Sequence, residues 1–267
     1  MIFYKMHGNG NDFVFIDCFS QNVTFGKNTV RRICDRHLGV GADGVIFMRK
    51  STVSDVKMVI FNADGTRASM CGNGLLCIAR LLSELGYTAK SRVCVETDSG
   101  LRTCSLLTSR DGQRRVEADM GIVSVSGGVL EPICFSDSAQ YVTKVHAGNS
   151  HAVFFTGDVS KLDLKTIGSL VCDSNIFSEE VNAEFCEVIG DNRLKVRVFE
   201  RGVGETLACG TGACAAALAG TVRGFCDTRL PIEVKMPGGT LSVRLSGDSH
   251  ALLTGTVELV FRGDFDL

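Results

Sequence analysis

Cys71 and Cys209 stand in the same local pattern, Cys71-Gly72-Asn73-Gly74 and Cys209-Gly210-Thr211-Gly212, and each turn opens a run with helical character. A helix start offers backbone N–H groups without intrahelical partners and the positive end of the helix dipole. It lowers a thiol pKa from its usual ~8.5 and binds carboxylate. Two such starts converging would enclose one carboxylate and set one thiol on each face of the adjacent carbon. Inversion of a stereocentre needs that geometry: a thiolate removes the α-proton while a thiol delivers another to the opposite face. Backbone N–H groups at Asn73–Gly74 and Gly210–Thr211 would hold the carboxylate as it gains charge, with no cofactor. A lone cysteine in an apolar run is ordinarily inert packing. Two cysteines in register weigh against that reading.

The register is part of a longer repeat. Cys209 follows Cys71 by 138 positions (209 − 71), and the same offset relates Phe61-Asn62 to Phe199-Glu200, Gly86-Tyr87 to Gly224-Phe225, Gly10-Asn11 to Gly148-Asn149, and Gly100 to Gly238. The halves read as two copies of one fold, facing each other across a pseudo-twofold axis. Short apolar or alternating runs at Ile2–Met6, Phe13–Asp17, Val45–Met48 and Val56–Phe61 predict strands, as do Val142–His146, His151–Thr156, Ala183–Ile189 and Lys195–Phe199. A helix follows each Cys-Gly-x-Gly, apolar on nearly all sides as a buried helix is, and stops at Gly86 or Gly224. Further strands are expected at Ser91–Glu96, Leu101–Thr108, Ile232–Met236 and Leu241–Leu245. The fold class is therefore α/β (α+β): two pseudo-symmetric halves, each a curved, mostly antiparallel sheet or barrel around a central helix, with the active site in the cleft between them. The boundaries fall at 1–117 for the half with Cys71 and 118–255 for the half with Cys209, and 256–267 returns to the first half.

A length of 267 residues suits two domains. Lys plus Arg is 28 against 30 for Asp plus Glu, so no strongly basic surface for nucleic acid is expected. The longest uncharged stretch, Thr206–Val222, is short for a membrane span and rich in Gly and Ala, and the start lacks the apolar run of a signal peptide, which points to the cytoplasm. Twelve cysteines without a CxxC or paired Cys/His spacing predict no metal site and, in a reducing compartment, mostly inert thiols. The GVGADG stretch from Gly39 lacks the Gly-Lys-Ser/Thr of a phosphate loop and reads as a turn.

The segments HGNGNDFVFID from His7, DRHLGVGADGV from Asp35, FNADGTRASMCGNG from Phe61, GNSH from Gly148 and ERGVGETLACGTGACA from Glu200 carry a resemblance. The sequence resembles the diaminopimelate epimerase family along nearly its whole length. That implies a cofactor-independent enzyme acting on a small amino-acid substrate, interconverting LL- and meso-diaminopimelate for lysine and cell-wall precursor synthesis, with a homodimer left open. By resemblance, Cys71 and Cys209 are the two acid/base residues. Asn11, Asn62, Asn149, Asn182 and Arg201 match substrate-binding positions. Gly72-Asn73 and Gly210-Thr211 match those holding the reacting carboxylate, and His151 and Glu200 match polar residues beside it. From the residues alone, Asn11 and Asn62 also read as turn residues, His151 as a structural histidine, and Glu200 with Arg201 as a solvated pair. Leu75-Leu76, Ser150 and Ser178 depart from the family pattern, which has a small residue followed by Arg at the first site and Pro at the other two.

Three other readings explain less. A proline or hydroxyproline racemase usually carries His where this chain has Asn73 and Ser-Pro where it has Leu207-Ala208. A Cys–His hydrolase using His151 leaves the equivalence of the two cysteines unexplained. An amino-acid-binding protein without catalysis requires neither thiol.

Overall fold

The computed structural model describes residues 1–21, 23, 25–108, 112–135, 138–172, 177 and 179–266. They form two compact units, Met1–Asp119 with Thr254–Leu267, and Met120–Leu253.

The first unit runs β1 (Ile2–Gly8), β2 (Asn11–Asp17), α1 (Lys27–Cys34), β3 (Gly44–Arg49), β4 (Val56–Asn62), the short β5 (Arg67–Ala68), α2 (Gly72–Glu84), β6 (Arg92–Thr97), β7 (Gly100–Leu107) and β8, which begins at Arg115 and ends at Ile122. The β2–β3 and β4–β6 pairs are parallel and the β1–β2, β3–β4, β6–β7 and β7–β8 pairs antiparallel. The chain's final strand, His250–Asp264, pairs with β1 from Ile2↔Asp264 to Gly8↔Val257 and also with β8. Eight strands thus close on themselves as a mixed barrel, which leaves no edge to protect. Helix α2 packs against β1, β2, β6 and β7 and is buried at every residue from Gly72 to Ala79. A helix so placed must be apolar all round, as its sequence is. The shorter α1 covers the sheet's other face, packing Val30, Ile33 and Cys34 against Val14, Val45 and Phe47.

The second unit repeats the first. It holds β9 (Ser124–Val125), β10 (Glu131–Phe135), β11 (Ser138–His146), β12 (Ser150–Phe155), a single 3-10 turn at Val159–Lys161, α3 (Leu164–Cys172), β13 (Val181–Gly190), β14 (Arg193–Glu200), β15 (Gly204–Thr206), α4 (Gly210–Val222), β16 (Ile232–Met236), β17 (Gly239–Leu245) and the start of the final strand, β18. Its parallel pairs, β12–β13 and β14–β16, sit where the first unit has β2–β3 and β4–β6. Helices α2 and α4 begin at Gly72 and Gly210 and end at Glu84 and Val222, in step with the sequence offset. Both stop at a glycine with positive φ, Gly86 (74°) and Gly224 (76°), and the next N–H folds back to Leu82 O and Gly220 O. An L side chain rarely takes that conformation, so glycine ends both helices.

Most of the long strands and the two central helices lie where periodicity predicts them, and the fold class stands as expected. Helices α1 and α3, the strand β8 and the short strands β5, β9, β10 and β15 are not among the expected elements. Helix α1 is eight residues long and has no side-chain cap, so little beyond its i, i+3, i+4 burial marks it. Helix α3 had a readable signal: Asp163 accepts from the Thr166 N–H (3.3 Å) and hydroxyl (2.7 Å), a start motif. Among the described residues no helix is long and apolar enough to cross a membrane.

Helix α3 touches β14 through a glycine. A Cβ on Gly168 would lie 2.3 Å from Phe199 Cγ and 2.6 Å from Phe199 Cβ. Overpacking at such a contact costs about 1–3 kcal/mol. Gly168→Ala should lower the urea midpoint accordingly, with no change in slope. An unchanged midpoint would mean that α3 is held less closely.

Candidate active site

In the first unit, Cys71 is the residue that caps α2. Its backbone is extended (φ −144°, ψ 125°) and its Sγ accepts the Gly74 N–H at 3.5 Å. Strand β2 places Asn11 beside it: Asn11 Oδ1 lies 3.6 Å from Cys71 Sγ and accepts from Asn73 Nδ2 at 3.2 Å. The Asn11 amide is held from behind. Its Nδ2 donates to Asp43 Oδ2 (2.8 Å), which also accepts the Asp12 N–H (3.1 Å). Arg36 bonds Asp12 and Asp43 at 2.7 Å each, and the buried Lys5 bonds Asp12 and the Gly41 carbonyl. Sequence reasoning missed this network, although Asp12, Arg36 and Asp43 all lie in the resemblance segments. It fixes which end of Asn11 faces the thiol. Asn11 starts β2 and Asn62 ends β4, and neither has positive φ, so the turn reading in its left-handed form does not hold. Asn62 does serve its own loop, donating to Thr66 Oγ1 at 3.1 Å.

The second unit builds the same centre with different neighbours. Cys209 caps α4 (φ −125°, ψ 116°). Its Sγ accepts the Gly212 N–H at 3.3 Å and lies 3.4 Å from Thr211 Oγ1. Strand β12 supplies His151, fully buried, with Nδ1 2.7 Å from Glu184 Oε1 and Nε2 2.9 Å from Asn149 Oδ1. Glu200 ends β14 and accepts from the Thr206 hydroxyl at 2.5 Å. Asn182 Oδ1 accepts the Arg201 N–H at 3.1 Å, and the Arg201 guanidinium pairs with Glu180. Asn149 and His151 are therefore joined, as are Asn182 and Arg201. Glu184 was missed. Its signal was a charged residue inside the apolar run Val181–Cys186, at the position where the first copy has Ile46.

The expectation that a helix start lowers the thiol pKa fails at Cys209. Burial pushes this thiol well above its ordinary range, the Glu200 and Glu184 carboxylates push the same way, and the Thr211 hydroxyl and Gly212 N–H only partly pull it back. Desolvation and like charge outweigh a few oriented dipoles. Cys34, Cys104 and Cys214 are pushed up to about 12, chiefly by burial, in keeping with inert packing. Among the described residues no cluster of three or more His, Cys, Asp and Glu side chains is arranged to hold a metal ion.

The sequence model of the diaminopimelate epimerase family matches residues 3–126 and 143–260. A diaminopimelate epimerase from Pelotomaculum thermopropionicum is 39% identical, with 99% of each chain covered. One from Aromatoleum aromaticum is 40% identical over 99% of this chain and 98% of its own. The chain belongs to the diaminopimelate epimerase family. Such a family member is an isomerase. Among solved structures, a probable proline racemase from Agrobacterium radiobacter covers all of this chain and 93% of its own at 17% identity with a TM-score of 0.77. A phenazine biosynthesis protein of the PhzF family from Bacillus anthracis, 15% identical, covers all of this chain and 99% of its own with a TM-score of 0.75. These two share the fold. Of the departures from the family pattern, Leu75 and Leu76 are fully buried in α2 and Ser150 opens β12, while Ser178 lies outside the described residues.

The network behind Asn11 has a pH signature. Burial alone would raise the Asp12 carboxyl, but hydrogen bonds from Arg36 and Lys5 and the charge of Lys5 hold it at about 2, against an ordinary 3.8. A depressed value means that these ion pairs stabilise the fold above pH 3.8 and that the contribution is lost as pH falls toward 2. Asp43 is raised instead, first by burial and then by Asp12. Arg36→Met should therefore be less stable than the parent at pH 7, with the gap closing as pH approaches 2. Urea midpoints across that range check it, and a gap independent of pH would count against the network.

Proposed function

We propose that this protein interconverts LL- and meso-diaminopimelate by two-base proton transfer between Cys71 and Cys209, without a cofactor. The observation that carries the reading is that both thiols cap equivalent buried helices and that each sulfur receives a helix N–H, from Gly74 or Gly212. In this reading one substrate is acted on by both thiols. The C–H bond at the α-carbon breaks and its proton goes to one thiolate. The electron pair is held in the carbanion and its carboxylate, which the N–H groups at Gly72–Asn73 and Gly210–Thr211 receive. The other thiol then gives its proton to the opposite face and leaves as thiolate. One proton is taken and one returned, so only configuration changes.

The substrate's second amino-acid head must be read by polar groups away from the sulfurs. Asn62, Asn149, Asn182 and Arg201 take that part. A guanidinium grips a carboxylate in bidentate fashion, and binding would draw Arg201 from its ion pair with Glu180. The proline-type reading is disfavoured by Asn73 and by Leu207-Ala208. We place the enzyme in the cytoplasm, where the reducing pool keeps both thiols free.

Incubating the purified protein with LL-diaminopimelate and following the stereoisomers should show the meso form accumulating. Cys71→Ala and Cys209→Ala should each reduce turnover by at least ~1,000-fold, since removing a member of an obligatory acid/base pair forfeits what general acid–base catalysis supplies. Absence of the meso product would overturn the substrate, and near-parental turnover in either variant would overturn the mechanism.

A further inference from the structure

The repeat makes the two helix starts alike, so the residues that break the likeness carry information. Beneath α2, a Cβ placed on Gly74 would meet Ile46 Cδ1 at 2.8 Å. Beneath α4, a Cβ placed on Gly212 would meet Glu184 Oε1 at 2.7 Å. Ile46 and Glu184 occupy equivalent positions, as do Phe13 and His151, and Asn62 and Glu200. An apolar side chain thus lies under the first thiol's helix start, with Asn11 beside the sulfur, where the second thiol faces the Glu184 and Glu200 carboxylates. Glu184 is fully buried. Its Oε1 is held by His151, and its Oε2 receives no hydrogen bond among the described residues.

We propose that Glu184 is a positioning residue for the resting proton: lodged under the start of α4, its carboxylate keeps Cys209 in the thiol form, so that Cys71 is the base of the free enzyme. The proposal rests on the two-thiol reading and goes beyond it by assigning the roles. The titratable groups around Cys209 are Glu200 from β14, Glu184 from β13 and His151 from β12, and α4 itself contributes the Thr211 hydroxyl and the Gly212 N–H. A buried negative charge there opposes the helix dipole that would otherwise favour a thiolate. The upward push that burial, Glu200 and Glu184 exert on Cys209 agrees with this placement. On the Cys71 side, the charges of Asp12 and Asp43 are met by Lys5 and Arg36. After each turnover the proton sits on Cys71, and exchange with water restores it to Cys209. The resting form is then ready for the stereoisomer whose α-proton faces Cys71.

The test is the pH dependence of iodoacetamide alkylation at each cysteine, read peptide by peptide by mass spectrometry, because thiolate is the reacting form. In the parent protein the midpoint for Cys209 should lie above that for Cys71. In Glu184→Gln the Cys209 midpoint should fall by about one pH unit or more, a tenfold rise in thiolate at fixed pH, while the Cys71 midpoint stays. The double variant His151→Phe/Glu184→Ile transplants the first unit's pair, removes both members of the buried His151–Glu184 contact together, and should move Cys209 the same way if the single variant folds poorly. A parental Cys209 midpoint below that of Cys71, or a Cys209 midpoint unmoved in the folded variants, would overturn the proposal. Alkylation needs no substrate, so a failure of the epimerase reading would leave this result intact and the two are told apart.

Discussion

The N–H of Gly74 points at the sulfur of Cys71, and the N–H of Gly212 points at the sulfur of Cys209. A sulfur used as a helix cap is an unusual choice, since Ser, Thr, Asp and Asn do that work better. It is a sensible choice where the sulfur must exist as an anion part of the time. Everything else in each unit follows from keeping that helix start in place. The helix is buried over its first turns, so the N–H groups face little competing water and act in a medium of low dielectric. Burial on all sides demands an apolar helix, and a sheet curved around it provides that burial. In the first unit the sheet closes completely, with the final strand joining β1 to β8.

Duplication gives two such helix starts from one design, and the proposed chemistry needs two. It does not need them identical. The first copy sets Ile46 under its helix start and Asn11 beside the sulfur, and the second sets Glu184 in the place of Ile46 and Glu200 near its thiol. The carboxylates around Cys209 favour its thiol form, a bias that Ile46 does not supply at the equivalent place under α2. On the proposed assignment, an acid and a base are thereby drawn from the same residue type.

Much of this was legible in the sequence because it rests on local rules. The offset between the two Cys-Gly-x-Gly turns, the apolar run after each and the glycine stop beyond it placed α2 and α4, and strand alternation placed most of the barrel. The less legible part depends on long-range placement. Helix α1 is short and uncapped, so its existence rests on the Val14, Val45 and Phe47 surface it covers. Asp43 matters because β3 and the loop before it bring it to the Asn11 amide, 32 positions away in the chain. In the sequence Glu184 is one charge in a strand; in the fold its carboxylate lies against His151 and under Gly212. The thiol pKa at Cys209 departs from the sequence expectation for the same reason: the helix dipole is visible in sequence, whereas desolvation and the two carboxylates that outweigh it are not.

The central claim is that one thiol takes a proton and a different thiol returns one. A single-turnover reaction of LL-diaminopimelate in deuterated water tests it most directly, with hydrogen at the inverted carbon read by mass spectrometry. The two-thiol account predicts that the first meso product carries solvent deuterium at that carbon, because the donor exchanges with water before the substrate arrives. Meso product that retains the substrate's own hydrogen would show one group doing both jobs and would contradict the account.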